Sequence, residues 1–281
     1  MPDNTKNKIG IIAGGGQFPL LFARAVRSQG FNIYAAAHQD ETDKALADEV
    51  DLIEWVKLGQ LGKIINFFKK EQVTETVFIG SITKTNIFRD VRPDLKGIGL
   101  WNKIDIKQDD AILRAVADRL EKDGIKVVAS TGYVPELLFP KGILTRKKPS
   151  KEQKNDIAFG WKIARAMGSL DIGQCVVVRK QTVLAVEAIE GTDAAIRRGG
   201  HLGKEKAVVV KLKKPNQDLR FDLPAVGKET LASMQEVKAS VLAVEAGYAL
   251  FFDRESVIRA ADAAGIVIVG VTESVAGELS Y

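Results

Sequence analysis

Between Lys8 and Ala37 the apolar pattern changes period twice. Lys8 to Ala13 is a short apolar run, Phe18 to Gln29 carries apolar residues at helical spacing, and Phe31 to Ala37 is apolar again. Strand, helix and strand in that order make a β-α-β unit, whose crossover leaves the two strands parallel. The alternation continues through Asp51 to Val56, Leu61 to Lys70, Glu75 to Ile79, Asp109 to Lys122 and Lys126 to Ala129. Residues 1–132 are therefore expected to form an α/β domain with a parallel sheet. Ser81 to Lys107 has no clean period and contains Pro93, Gly97 and Gly99, so it reads as a long binding loop in which Trp101 could face a ligand.

From Tyr133 the character changes, with Pro135, Pro140 and Gly142, then the basic run Arg146-Lys147-Lys148. A second domain over 133–281 is expected to be mixed α/β (α+β). Ser150 with Gln153 signals a capping box, and Ile157, Trp161, Ala164 and Met167 make one apolar helix face. Cys175 to Arg179 and Thr182 to Glu187 read as a hairpin turning at Lys180-Gln181. A short helix near Asp193 to Arg198, a strand from Ala207 to Leu212 and further helices over Lys228 to Val237 and Arg254 to Ala264 follow, with strands at Val241 to Val244, Ala249 to Phe251 and Ile266 to Val269.

Composition removes several classes. The chain has 281 residues, 46% hydrophobic and 27% charged, which fits a globular protein of roughly two domains. Lys plus Arg (41) against Asp plus Glu (36) gives +5, suited to an anionic substrate or membrane surface and too diffuse for nucleic acid. No apolar run reaches the ~20 residues of a membrane helix, and Met1 to Lys8 lacks the apolar core of a signal peptide, so a cytoplasmic location is expected. Two histidines, His38 and His201, are too few for a His-rich metal centre, so any metal should be hard and oxygen-bound. The single cysteine, Cys175, reads as a buried strand residue.

Candidate chemistry gathers in three segments. Gly14-Gly15-Gly16-Gln17 stands where the first strand meets the first helix, a place where backbone N–H groups can meet a phosphate; a plain tight turn is the competing reading. Ala37-His38-Gln39 puts no acid at the tip of the second strand, which argues against a nicotinamide cofactor, while His38 could touch substrate or be an ordinary loop residue. Glu187 to Asp193 brings three carboxylates to a strand end, just before Arg197, Arg198 and His201; Thr192 or Asp193 could equally cap the following helix. In Lys211 to Gly227, lysines ending a strand, Lys213 among them, could neutralise a diphosphate, and Asp222 could hold a metal, orient a water or cap a helix. The Asp109-Asp110 pair reads as a helix N-terminus.

Four stretches in order carry a family resemblance: Ile9 to Pro19 (IGIIAGGGQFP), Leu170 to Gln174 (LDIGQ), Ala188 to Asp193 (AIEGTD) and Phe221 to Gly227 (FDLPAVG). Together they resemble the LpxI-type UDP-2,3-diacylglucosamine pyrophosphatases over about Ile9 to Val271. The resemblance implies Mg²⁺-dependent hydrolysis of a UDP-sugar lipid to UMP and 2,3-diacylglucosamine 1-phosphate with attack at the sugar-side phosphorus, a Rossmann-like N-terminal domain over 1–132, a second domain of unusual fold, and substrate held between them. It also implies that Asp222 is essential, as catalytic group and metal ligand. On this reading Gly14, Gly15, Gly16, Gln17, Thr192, Asp193 and Lys213 bind substrate. The protein is then expected at the cytoplasmic face of the inner membrane, in peripheral contact with it, with a homodimer as an open expectation. An NAD(P)-type oxidoreductase and a non-catalytic UDP-sugar sensor are the alternatives.

Overall fold

The computed structural model describes residues 7–82, 109–221 and 223–281, the side chains of 109–111 aside. The chain divides into two compact units, Met1–Pro135 with Asp218–Phe221, and Glu136–Gln217 with Asp222–Tyr281.

The first unit contains β1 (Lys8–Ala13), α1 (Phe18–Ser28), β2 (Asn32–His38), β3 (Leu52–Val56), α2 (Leu61–Lys70), β4 (Glu75–Ile79), α3 (Asp109–Lys122) and β5 (Lys126–Val127). All five strands are parallel, in the order β3-β2-β1-β4-β5. Ile9, Ile11, Ile12 and Ala13 are all buried, the continuous apolar run of a strand covered on both faces. In α1 the buried Phe18, Phe22, Ala23 and Val26 recur at helical spacing, and burying the Phe22 ring alone stabilises by about 1.5–3 kcal/mol. On the other face, Ile64, Ile65 and Phe68 of α2 and Ala117 and Leu120 of α3 pack with Ile12, Ala36 and Val56 of the sheet. From β1 the chain runs to β2 on one side, whereas β4 lies on its other side, so the strand connections reverse at the carboxyl ends of β1 and β4.

The second unit contains β6 (Gly142–Ile143), α4 (Lys151–Ser169), β7 (Cys175–Arg179), β8 (Thr182–Val186), α5 (Thr192–Gly203), β9 (Val208–Lys211), β10 (Ala225–Val226), α6 (Lys228–Glu236), β11 (Val241–Glu245), β12 (Leu250–Phe251), α7 (Arg254–Ala264), β13 (Val267–Glu273) and β14 (Leu279–Ser280). Its main sheet runs β14-β13-β11-β9-β7-β8, with β6 also on β13. β9, β11 and β13 are parallel, whereas β7 is antiparallel to both β9 and β8. Alternation along β7 divides the core. Val176 and Val178 face Ile157, Trp161 and Ala164 of α4, while Cys175 and Val177 join Ile196 of α5, Leu231 of α6 and Val257 of α7 on the opposite side.

The capping box closes in both directions: Gln153 N–H donates to Ser150 Oγ at 3.2 Å, and Ser150 N–H donates to Gln153 Oε1 at 2.8 Å. At the hairpin turn Lys180 and Gln181 both adopt positive φ (50° and 53°), costly for residues with a side chain. The buried Asp156 carboxylate of α4 offsets this by accepting their N–H groups at 3.0 and 2.6 Å.

Several boundaries differ from the sequence reading. The helix expected over Asp193 to Arg198 continues to Gly203 despite three glycines, because the helix packs tightly there and a Cβ on Gly200 would lie 2.1 Å from Val237 Cγ2. The last long strand extends to Glu273, and β6, β10 and β14, with two residues each, are too short to leave a periodic signal. The loop expected over Ser81 to Lys107, including Trp101, lies almost entirely outside the described residues.

Candidate functional site

In the first unit the glycine turn is built by close backbone approach. Gly14 N–H donates to Ile79 O at 2.8 Å, and Gly15 exchanges hydrogen bonds with Ser81, 2.7 Å from its N–H to Ser81 O and 3.1 Å in return. A Cβ on Gly14 would stand 2.4 Å from Ser81 O, so this turn admits no side chain there. The turn thereby ties β1 to the end of β4, and the Gly14 and Gly15 amides are occupied. The sequence left phosphate binding and a plain tight turn as competing readings; with Gly14 and Gly15 engaged, the amides of Gly16 and Gln17 have no partner among the described residues. Gln17 is the N-cap of α1 and caps it without a side-chain hydrogen bond.

The segment after β2 folds back onto this turn. His38 O accepts the N–H groups of Glu41 and Thr42 at 3.1 and 2.9 Å, and Thr42 Oγ1 donates to Ala13 O at 2.7 Å. Glu41 is thereby set beside Gly15, where a Cβ would lie 3.6 Å from Glu41 Oε2. Ala37-His38-Gln39 at the end of β2 carries no acid, and the acid brought to the turn is Glu41, three residues after His38. His38 is buried, its Nδ1 has no partner among the described residues, and burial lowers its pKa to about 4 against a weaker upward pull from Glu41.

In the second unit, strand directions bring the quoted motifs to one edge of the main sheet. The start of β7 and the ends of β8, β9 and β11 meet there, because Cys175 pairs with Lys211, Val176 with Val186 and Val244 with Lys211. Leu170 to Gln174 enters this edge through Gly173, where a Cβ would stand 2.1 Å from Glu187 O. Gln174 O accepts from Leu212 N–H at 2.9 Å, while its own N–H donates to the Glu187 carboxylate.

Glu187 is 7% exposed. Its Oε1 accepts from Thr192 Oγ1 at 3.0 Å, so Thr192 serves this carboxylate and not the cap of α5, which Gly191 provides without a side-chain bond. Burial raises the Glu187 pKa, opposed chiefly by Lys211 and the Thr192 hydroxyl. Three buried acceptor oxygens here have no donor among the described residues: Glu187 Oε2, Gln174 Oε1 and Asp193 Oδ1. Buried acceptors are ordinarily satisfied, so this set can accept a hard cation or ligand hydroxyl and amide donors.

The lysines are more engaged than their sequence suggests. Buried Lys211 donates from Nζ to Ala225 O at 2.8 Å, and Lys214 Nζ pairs with Asp171 at 2.7 Å. Lys213 donates its backbone N–H to Glu245 Oε2 at 2.9 Å and holds its ammonium 5.6 Å from the centre of the Tyr248 ring. Arg197 pairs with Glu236 at 2.8 Å and Arg198 with Glu190, so both guanidinium groups are partnered. Cys175 is fully buried, and desolvation raises its thiol pKa. Asp222 lies outside the described residues.

Residues 170–174, 187–193 and 211–214 thus converge, with Thr192 and Asp193 at the edge and Lys213 beside it. Gln174, the last residue of the Leu170 to Gln174 stretch, was not singled out as a site residue, and Glu187 figured only as one of three carboxylates in its segment. Glycine before Gln174 was the available signal, since only close approach to another chain segment requires it.

Apolar side chains flank these oxygens. Leu170 is 73% and Ile172 46% exposed on one segment, and Ile189 is 91% exposed on the other. No helix among the described residues is long and apolar enough to cross a membrane.

Residues 8–137 match the model of the LpxI N-terminal domain, and residues 140–269 match that of the LpxI C-terminal domain. A relative from Caulobacter vibrioides, UDP-2,3-diacylglucosamine pyrophosphatase LpxI, is 34% identical over 275 residues, 94% of this chain and 97% of the relative. The two domains match in order along the chain: the chain belongs to the LpxI family.

Proposed function

We propose that this chain hydrolyses the diphosphate of UDP-2,3-diacylglucosamine to UMP and 2,3-diacylglucosamine 1-phosphate, a step of lipid A biosynthesis, with Mg²⁺ as cofactor. The observation that carries the reading is the near full-length identity to a relative named for that activity. The first unit's strand order, shared by Rossmann-like nucleotide-binding sheets, supports a nucleotide substrate.

The donor set at the second unit's edge suits the metal. Glu187 Oε2, Asp193 Oδ1 and Gln174 Oε1, all hard and without donors among the described residues, match what Mg²⁺ takes from proteins, which commonly supply one or two carboxylates and leave the rest to phosphate and water. Glu187, Asp193 and Gln174 would hold it, with Asp222 as the further carboxylate that the family resemblance implies. When bound, Mg²⁺ neutralises charge on the diphosphate.

The chain's own residues supply the rest. Lys213 offers positive charge to a phosphate, its ammonium held over the Tyr248 ring. The open Gly16 and Gln17 amides, at the start of α1, suit a phosphate oxygen. Asp222 orients the attacking water, which enters opposite the leaving UMP and bonds to the sugar-side phosphorus; the phosphorus–oxygen bond to UMP then breaks.

We further propose that the enzyme works at the cytoplasmic face of the inner membrane as a peripheral protein. Exposed Leu170, Ile172 and Ile189 beside the acceptor edge suit contact with acyl chains, and basic residues near an anionic leaflet gain about 1 kcal/mol each.

Hydrolysis of UDP-2,3-diacylglucosamine in ¹⁸O-labelled water, followed by ³¹P NMR, tests the reaction and its direction together. Label is expected in 2,3-diacylglucosamine 1-phosphate. Label in UMP would reverse the attack, and no hydrolysis by the purified protein with Mg²⁺ would overturn the proposed activity.

A further inference from the structure

We infer that the first unit carries a ribose site, in which the Glu41 carboxylate and the His38 imidazole take the hydroxyl groups of the substrate's nucleoside beside the glycine turn. This rests on the reading above that the substrate is a nucleoside diphosphate derivative.

Position is the first argument. The carboxyl ends of β1 and β4 mark the point where strand connections reverse, which is where open α/β sheets bind ligands. His38 ends β2, the strand next to β1, with Ala37 in register with Ala13. Hydrogen bonds from Glu41 and Thr42 to His38 O, and from Thr42 to Ala13 O, fasten the following segment to the same edge and set Glu41 against Gly15.

Chemistry is the second. His38 is only 9% exposed, yet its Nδ1 meets no partner among the described residues. A buried ring nitrogen with no partner among the described residues can take its hydrogen bond from a bound ligand. Hydroxyl groups satisfy it in either tautomer, because they both donate and accept. The neighbouring carboxylate sorts ligands by charge: it repels a phosphate and accepts hydroxyl protons. Phosphate is thus directed to the open amides of Gly16 and Gln17, and a vicinal diol to Glu41 and His38.

The test uses the full chain, UMP and its 2′-deoxy analogue. The chain has only two histidines, so imidazole NMR signals report each one separately, and His201, on the last turn of α5, is an internal control. Adding UMP is expected to shift the His38 signals saturably and leave those of His201 in place. The deoxy analogue should bind at least about tenfold more weakly, one hydrogen bond to a charged group being lost. Glu41→Gln should bring the two ligands to nearly equal affinity.

UMP binding with unmoved His38 signals, or equal affinity for both ligands in the unaltered protein, would overturn the ribose site. So would failure of UMP to bind while UDP-2,3-diacylglucosamine is still hydrolysed, a result that leaves the proposed activity standing. Binding as expected without hydrolysis would leave the ribose site standing and remove the activity.

Discussion

Gly173 lies so close to Glu187 that a Cβ at position 173 would stand 2.1 Å from the Glu187 carbonyl oxygen. The segments on either side of the β7–β8 hairpin are thereby pressed together, and the buried Glu187 carboxylate receives the Gln174 N–H. Gly173→Ala must move backbone, since the obstacle is a carbonyl and not a flexible side-chain end. We expect a loss of about 2–4 kcal/mol in unfolding free energy, measured by urea denaturation. A loss below 0.5 kcal/mol would mean that the segment shifts freely.

Glu187→Gln separates the cost of the carboxylate from its use. Burial raises the pKa of Glu187, so its ionised form is disfavoured in the fold and neutralisation should stabilise the metal-free protein. Its melting temperature is expected to rise by a few degrees. Mn²⁺ binding, followed by electron paramagnetic resonance as a proxy for Mg²⁺, should weaken by at least about tenfold. Unchanged Mn²⁺ affinity would remove Glu187 from the proposed ligand set.

Asp222→Ala is expected to lower kcat by at least ~10²-fold with KM changed little, because the lost function concerns water or metal charge in the transition state. Excess EDTA should stop the unaltered enzyme, and added Mg²⁺ should restore it. Near-normal kcat in the variant would exclude this role.

The pKa of His38 falls from an ordinary 6.5 to about 4 in the fold. The unfolded chain therefore takes up a proton at higher pH than the folded one, and stability is lost as pH falls from about 6.5 to about 4. At 1.36 kcal/mol per unit the full loss is at most about 3 kcal/mol. Denaturation midpoints of the unaltered protein and His38→Gln across this range should converge toward low pH. Parallel curves would mean that His38 is not buried in its neutral form.

Ile189 is 91% exposed beside the acceptor edge. Ile189→Asp should weaken co-sedimentation with vesicles containing anionic lipid several-fold, while hydrolysis of detergent-dispersed substrate changes by less than about twofold. Equal vesicle binding would exclude this segment from membrane contact.

Local order was legible because it depends on near neighbours. Alternation of apolar runs announced the five parallel strands of the first unit, Ser150 with Gln153 announced a helix start, and Lys180-Gln181 marked a hairpin turn. The motif stretches also identified the family, since residue order along a chain is a one-dimensional property. What the sequence withheld is lateral. Glu41 reaches Gly15 only through hydrogen bonds that fold the segment after β2 onto β1, and Gln174 meets Glu187 only because Val176 of β7 pairs with Val186 of β8. The same holds for the three unpartnered oxygens. A carboxylate's partners are set by which strands lie side by side, and every such contact joins residues whose separation along the chain carries no period. Sequence alone thus determined the elements and the kind of chemistry available, whereas the packing of strand ends decided which side chains meet and which are left needing a ligand.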